Sequence, residues 1–235
     1  MAECRVFRMV TMETMGRVLT ILVRSWPLLL APAALWGQQY KADQAGPPPP
    51  EVAPSIAQAL NKAGFQISHN GAQYCEIWLR TRVRSGRSTG PDATQDANPA
   101  NVTLPNVPVG ALLGVIRFDG QGSDRRGQSI RPGVYTLRYG IMPLNDAHQG
   151  AAPQRDFLLL IPAAEDRDLN ATPDFDRLVA LSRKASLTAH PAVLSVRKAA
   201  TDSPGFSQQG DSDWVLEAPL GDTPIAIIVA GTAGS

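Results

Sequence analysis

The chain has 235 residues, and 22 Lys and Arg set against 21 Asp and Glu give a formal charge of +1. Such a balance supplies no global field for gathering nucleic acid or an anionic membrane surface, and nucleic acid is excluded as an expected partner. Twenty Gly, twenty Pro and 6% aromatic residues favour many short elements joined by turns over a helical bundle.

Residues 1–37 read as an export signal. Arg5, Arg8, Arg17 and Arg24 precede the apolar run Trp26-Pro-Leu-Leu-Leu-Ala-Pro-Ala-Ala-Leu-Trp-Gly37, which ends in small residues before Gln38 and Gln39. The run is about 12 residues long where roughly 20 are needed to cross hydrocarbon, so no permanent span is expected after cleavage. Cleavage is expected near Gly37, with Ala33 or Ala34 as other exits, and the product is expected in the periplasm or outside the cell. A start at Met12 or Met15 would leave the processed chain unchanged. Removing 37 of 235 residues leaves 198, and with them go four Arg and two Glu, so the processed charge is −1. Cys4 leaves with the signal and Cys75 remains alone, which excludes an intramolecular disulfide. Cys75 lies in an apolar strand pattern and reads as a small core residue.

Residues 38–54 carry Pro47-Pro48-Pro49-Pro50 and are expected to be a spacer of polyproline II character. A single β-rich domain is expected over 55–235. Ile56, Ala59, Leu60 and Ala63 recur at helical spacing before Gly64, predicting one short helix with a glycine stop. Phe65–Ser68 is a short strand candidate. From Tyr74 to Arg84 the pattern has period two, with Cys75, Ile77, Leu79, Thr81 and Val83 on one face. Glu76, Trp78, Arg80, Arg82 and Arg84 fall on the other, expected to be wet. A long loop covers 85–106, and Leu112–Phe118 is the next strand.

Pro132-Gly133 then opens a strand in which Tyr135, Leu137, Tyr139 and Ile141 alternate with Val134, Thr136, Arg138, Gly140 and Met142. A loop follows from Pro143 to Arg155. Phe157–Ile161 is apolar on both faces, as expected of a central strand covered on both sides. Thr172 is the expected cap of a second helix, with Pro173 at its first position, Asp174 and Asp176 in its first turn, and Arg183-Lys184 in its last. Val193–Val196, Trp214–Glu217 and Ile225–Val229 complete about eight strands. Two short helices and no β-α-β rhythm predict an all-β fold, a mainly antiparallel sandwich or partly open barrel.

The segment Arg131-Pro-Gly-Val-Tyr-Thr-Leu-Arg-Tyr139, with Arg155-Asp-Phe-Leu-Leu-Leu160 after it, resembles the core of secreted bacterial proteins of unknown function. Its Pro-Gly-x-Tyr-x-Leu portion is similar to the hairpin strand of transthyretin-like and carbohydrate-binding-like sandwiches. The resemblance covers about 30 of the 198 processed residues. It implies a fold and carries no catalytic residue across.

Three constellations are candidates for chemistry. Asp166-x-Asp168-x-Asn170-x-Thr172-x-Asp174 places an oxygen at every second position, as a calcium loop does. Ala171 and Arg177, however, stand where an EF-hand needs Gly and Glu. A solvated helix start accounts for the same residues. The 143–156 loop brings Asp146, His148, Arg155 and Asp156 together in sequence, with His148 as a potential acid, base or ligand. Its distant imidazoles His69 and His190 share no metal-ligand spacing with it. Trp78, Arg80, Arg82 and Arg84 on one strand face could hold an anion or a sugar by charge and stacking, while solvated surface charge is the commoner meaning.

No Gly-x-Ser-x-Gly elbow is present, Ser182-Arg-Lys184-Ala lacks the Ser-x-x-Lys spacing, and Asp119-Gly-Gln-Gly122 lacks the third Gly of a dinucleotide loop. The sequence therefore predicts an exported, non-enzymatic binding module for a carbohydrate, a cell-envelope component or a protein, with no cofactor and no metal. The alternative is an exported hydrolase or metal-dependent enzyme using the 143–156 loop.

Overall fold

The computed structural model describes residues 39–83, 85–86, 102–142 and 154–232. The expected signal, together with Arg84, Asp146 and His148, lies outside the described residues.

Ten strands form one sheet in the order β1-β2-β3-β4-β7-β8-β9-β12-β11-β10. They are β1 (Tyr40–Ala45), β2 (Gly64–His69), β3 (Ala72–Leu79), β4 (Leu112–Phe118), β7 (Gly133–Ile141), β8 (Asp156–Pro162), β9 (Val193–Lys198), β10 (Gly205–Gln209), β11 (Asp213–Leu220) and β12 (Thr223–Ala230). Every pairing is antiparallel. The short strands β5 (Gly122–Ser123) and β6 (Ser129–Ile130) pair apart from the main sheet. Among the described residues there are two α-helices, α1 (Pro54–Ala59) and α2 (Phe175–Ser186). Neither is long and apolar enough to cross a membrane.

The sheet curls until its two ends meet. One apolar cluster draws side chains from all ten strands, from Tyr40 and Ala42 on β1 through Leu137 and Leu160 near the middle to Phe206 on β10. Rings then touch across the gap, with Tyr40 and Trp214 of β11 at 5.4 Å between centroids. Of the two architectures expected, the fold is therefore the partly open barrel, nearly closed. Cys75 lies fully buried in that interior, and burial pushes its thiol well above the ordinary range.

Local sequence explains the turns. Asn70 and Gly71 both take positive φ, 51° and 83°, which gives the β2–β3 hairpin a twist that suits the strands it joins. Helix α2 starts two residues later than expected. Asp174, not Thr172, is its N-cap, accepting from the Arg177 amide at 2.7 Å. Arg183 and Lys184 do lie in the last turn, where cations offset the carbonyl end. Gly64 is no helix stop. It opens β2, and a Cβ there would come within 2.6 Å of the Trp78 indole nitrogen.

The spacer expected over 38–54 is corrected by β1. Tyr40–Ala45 pairs along its length with β2, and Pro49 packs inward, its carbonyl accepting from Val52. Four prolines cannot join a ladder, but they do not forbid packing against one.

Period-two reading assigned faces correctly and exposure wrongly. Cys75, Ile77 and Leu79 face the barrel interior, and Trp78 faces the other way. That outer face is covered. Val52, Ala53, Ile56 and Leu60 of the α1 segment pack on Trp78, Leu112 and Val115 in a second apolar layer. The outer face of β7 is covered likewise by the 163–173 segment, so Arg138 is fully buried.

Candidate functional site

The residues singled out by sequence have mostly structural partners. Trp78 is 1% exposed and its indole N–H donates to the Gly46 carbonyl at 2.8 Å, so the open stacking face expected there is corrected. Arg80 is half-buried, and one guanidinium nitrogen donates to the Leu112 carbonyl. Arg82 is exposed and lines a cleft of about 760 Å³, where Lys198 and Asp222 also stand. Trp78 and Arg82 thus do not share a surface, and a paired stacking-and-charge face is not formed by them.

Arg155 and Asp156 are both buried. Arg155 Nε donates to the Met142 carbonyl at 2.7 Å. Asp156 accepts from the Thr103 and Leu104 amides at 2.8 and 2.9 Å and from the Tyr139 hydroxyl at 2.7 Å. Three donors on one buried carboxylate make it an anchor that fixes the 102–110 segment to the barrel. The carboxylates of the 166–174 series diverge. Asp166 takes Arg138 and Thr136, Asp168 accepts from the Asn170 amide, and Asp174 caps α2. Among the described residues no group of three or more His, Cys, Asp or Glu is placed to hold a metal.

The concentration of uncommitted chemistry lies elsewhere, at the seam where β1 meets β10 and β11. Here four rings run in a row. Phe206 stacks on Trp214 at 5.7 Å, Trp214 meets Tyr40 at 5.4 Å with its plane tilted by 47°, and Tyr40 stacks on His69 at 4.2 Å and 9°. Tyr74 stands edge-on to Tyr40 from β3. Tyr40, His69 and Trp214 line a cleft of about 590 Å³ together with Ser123, Gln208, Asp211, Ser212 and Thr232. A second cleft of about 770 Å³ lies beside it, between the two sheet edges, and shares Tyr40.

Three features place Trp214. Between Trp214 and Val215 the β11–β12 register slips by one, leaving Val229 of β12 as an extra residue opposite them. Its strand partner on the other side is Gln208, which brings an amide alongside the indole. The preceding Asp213 is tied to Arg125 of the β5–β6 hairpin at 2.8 Å, with both side chains less than one-fifth exposed. The turn that precedes the strand is fixed as well, because Gln208 donates to the Asp211 carbonyl and Ser212 Oγ both donates to and accepts from Thr232. The Asp211 carboxylate is left uncommitted among the described residues.

Sequence reading missed this cleft because Tyr40 was assigned to a spacer and β10 was not recognised. The signal was present in Phe206-Ser-Gln-Gln-Gly210, whose alternation runs into Asp211-Ser-Asp-Trp214 as a hairpin would.

Burial pushes the Tyr40 hydroxyl up to about 12, with Tyr74 and Cys75 adding to it. In the unfolded chain the same group ionises near 10. Between those values the unfolded chain has lost a proton that the folded chain keeps, so stability falls as pH rises from about 10 to about 12. Melting temperatures should decline over that window, and Tyr40→Phe should make the decline shallower. An equally steep decline in the variant would show that the seam does not hold the phenol neutral.

No protein-family profile, curated protein or solved structure matches this chain. The functional reading therefore rests on its own residues.

Proposed function

We propose that the processed chain is an exported, non-enzymatic binding module, and that its ligand occupies the seam cleft. The expected ligand classes are a carbohydrate, a cell-envelope component or a protein. The observation that carries this reading is Trp214, set against Tyr40 in a concave site of about 590 Å³ rimmed by an amide, a carboxylate and hydroxyls. Apolar surface with a few converging polar groups is the usual make-up of a ligand pocket of this size.

Export is supported by the boundary of the fold. Residues 37–235 form one compact unit, and β1 begins at Tyr40, so removal of residues 1–37 leaves every described strand whole. In the native host the protein should be recovered outside the cytoplasm with a new terminus near Gln38, read by intact mass. A cytoplasmic chain that retains its first 37 residues overturns this.

Binding is tested with the processed protein immobilised and exposed to an envelope extract of the host. A retained component should be lost with Trp214→Ala and kept with Arg82→Ala, which lies in the other cleft. Turnover of ester, peptide or glycoside substrates that disappears in His148→Ala would replace this reading with the enzymatic one.

A further inference from the structure

Resting on that reading, we propose that the seam cleft takes a neutral saccharide, one ring of which packs on the partly exposed aromatic surface of Trp214 and Tyr40 while its hydroxyls meet Gln208 and Asp211. The lining decides between ligand classes. A phosphate, sulfate or carboxylate group needs fixed positive charge, yet among the described residues that line the cleft the sole basic side chain is His69, already stacked on Tyr40. Asp211 would repel an anion at the same rim. A nucleotide is disfavoured on the same ground, since its bases suit the rings but its phosphates have no partner.

A sugar ring matches what remains. One of its faces is a sheet of C–H bonds, apolar and weakly positive, which suits the aromatic surface that Trp214 and Tyr40 present to the cleft. Its edge carries hydroxyls that donate and accept, as Gln208 and the Asp211 carboxylate require. The irregularity beside Trp214 lies in β12, where Val229 is an extra residue between the partners of Trp214 and Val215, so the ladder that borders the cleft is locally twisted.

An extended peptide is the rival occupant, since both sheet edges face the adjoining cleft. A strand laid there would pair with an edge of the sheet in the adjoining cleft, whose lining includes neither Trp214 nor Gln208. Substitutions at those two residues therefore separate the two occupants.

The processed chain supplies its own optical reference. Of four tryptophans, Trp26 and Trp36 leave with the signal, and Trp78 is buried at 1% exposure, so quenching by acrylamide reads Trp214. The protein is titrated with neutral gluco-, manno-, galacto- and N-acetylglucosamine oligosaccharides. Uronic acid oligosaccharides, sulfated oligosaccharides and a mixed library of unstructured peptides are run in parallel. At least one neutral series should shield Trp214. Trp214→Ala should weaken that binding about tenfold or more, and Gln208→Ala about three- to tenfold. Should Trp214→Ala loosen the seam, Gln208→Ala carries the test alone, because Gln208 is exposed and its loss should leave the melting midpoint in place.

Shielding by an anionic oligosaccharide or a peptide, and by no neutral series, overturns the saccharide assignment and keeps the binding module. Neutral binding that is indifferent to both substitutions moves the ligand off this cleft and overturns the proposal as stated. Shielding by nothing, with turnover of a substrate instead, overturns both readings.

Discussion

Asp166→Ala should lower the stability of the processed domain by about 3–5 kcal/mol in a chemical melt, among the largest losses any single surface-neutral change can cause here. Arg138 is fully buried, and its guanidinium holds both Asp166 oxygens, at 2.8 Å from Nε and 2.7 Å from Nη2. Nη1 donates to the carbonyls of Gly110 and Ala171, Nη2 donates also to that of Asp168, and Thr136 adds a hydroxyl to Asp166 at 2.5 Å. Removing the carboxylate leaves a whole positive charge in the interior with only carbonyl dipoles around it. The fork of donors would stay satisfied in part, but the charge would not be neutralised. Replacing both partners with apolar residues, Arg138→Met with Asp166→Leu, should recover most of the loss, because a well-packed pair avoids the desolvation that the ions suffer. A single variant within about 1 kcal/mol of the parent would mean that water reaches Arg138 and that the 163–173 segment is not its cover.

Asp156→Ala should cost on the order of 3 kcal/mol and act on a different part of the fold. Its carboxylate gathers two backbone amides and the Tyr139 hydroxyl, which also reaches the Leu104 carbonyl at 3.3 Å. The 102–110 segment would lose its fastening, although Gly110 and Ala111 still exchange bonds with Tyr139. Asp156→Asn should lose less, since it keeps one acceptor oxygen while its amide confronts a donor. Proteolysis between residues 102 and 110 should accelerate in the Ala variant ahead of any global melt. Equal cleavage rates in the parent and the Ala variant would remove the anchoring role. Both substitutions are meant to leave the seam cleft as it is, because neither residue lines it.

Much of the barrel was legible where one physical rule governs one strand. Leu112–Phe118 was read with its observed bounds, and the strand pattern around Tyr135 gave the face that enters the interior cluster. Continuous apolarity over Phe157–Ile161 signalled a covered central strand, and β8 is buried through Ile161. The errors share a cause. A strand's own period does not announce what covers its second face: Trp78, expected to be wet, lies under the α1 segment, and Arg138 lies under the irregular 163–173 segment. Prolines before α1 hid β1, because a strand that precedes four of them has no apolar run of its own; Lys41, Asp43 and Gln44 are all exposed. The seam could not be found without closure, since Tyr40 and Trp214 are 174 positions apart and meet only when the sheet curls.

The way the barrel closes sets how its parts loosen. Central strands β7 and β8 are bonded to neighbours on both sides, while β1 and β10 end the sheet and are joined across the gap by rings. Side-chain contact can slide or part without breaking a ladder of amide bonds, so the first opening of the molecule should be an unzipping at the seam with the centre still closed. Amide protons of β1 and β10 should then exchange with solvent deuterium at a free energy well below that of β7 and β8. A molecule resting on Trp214 would slow exchange at the margins before it altered the middle, making the barrel tighten from its edge inward.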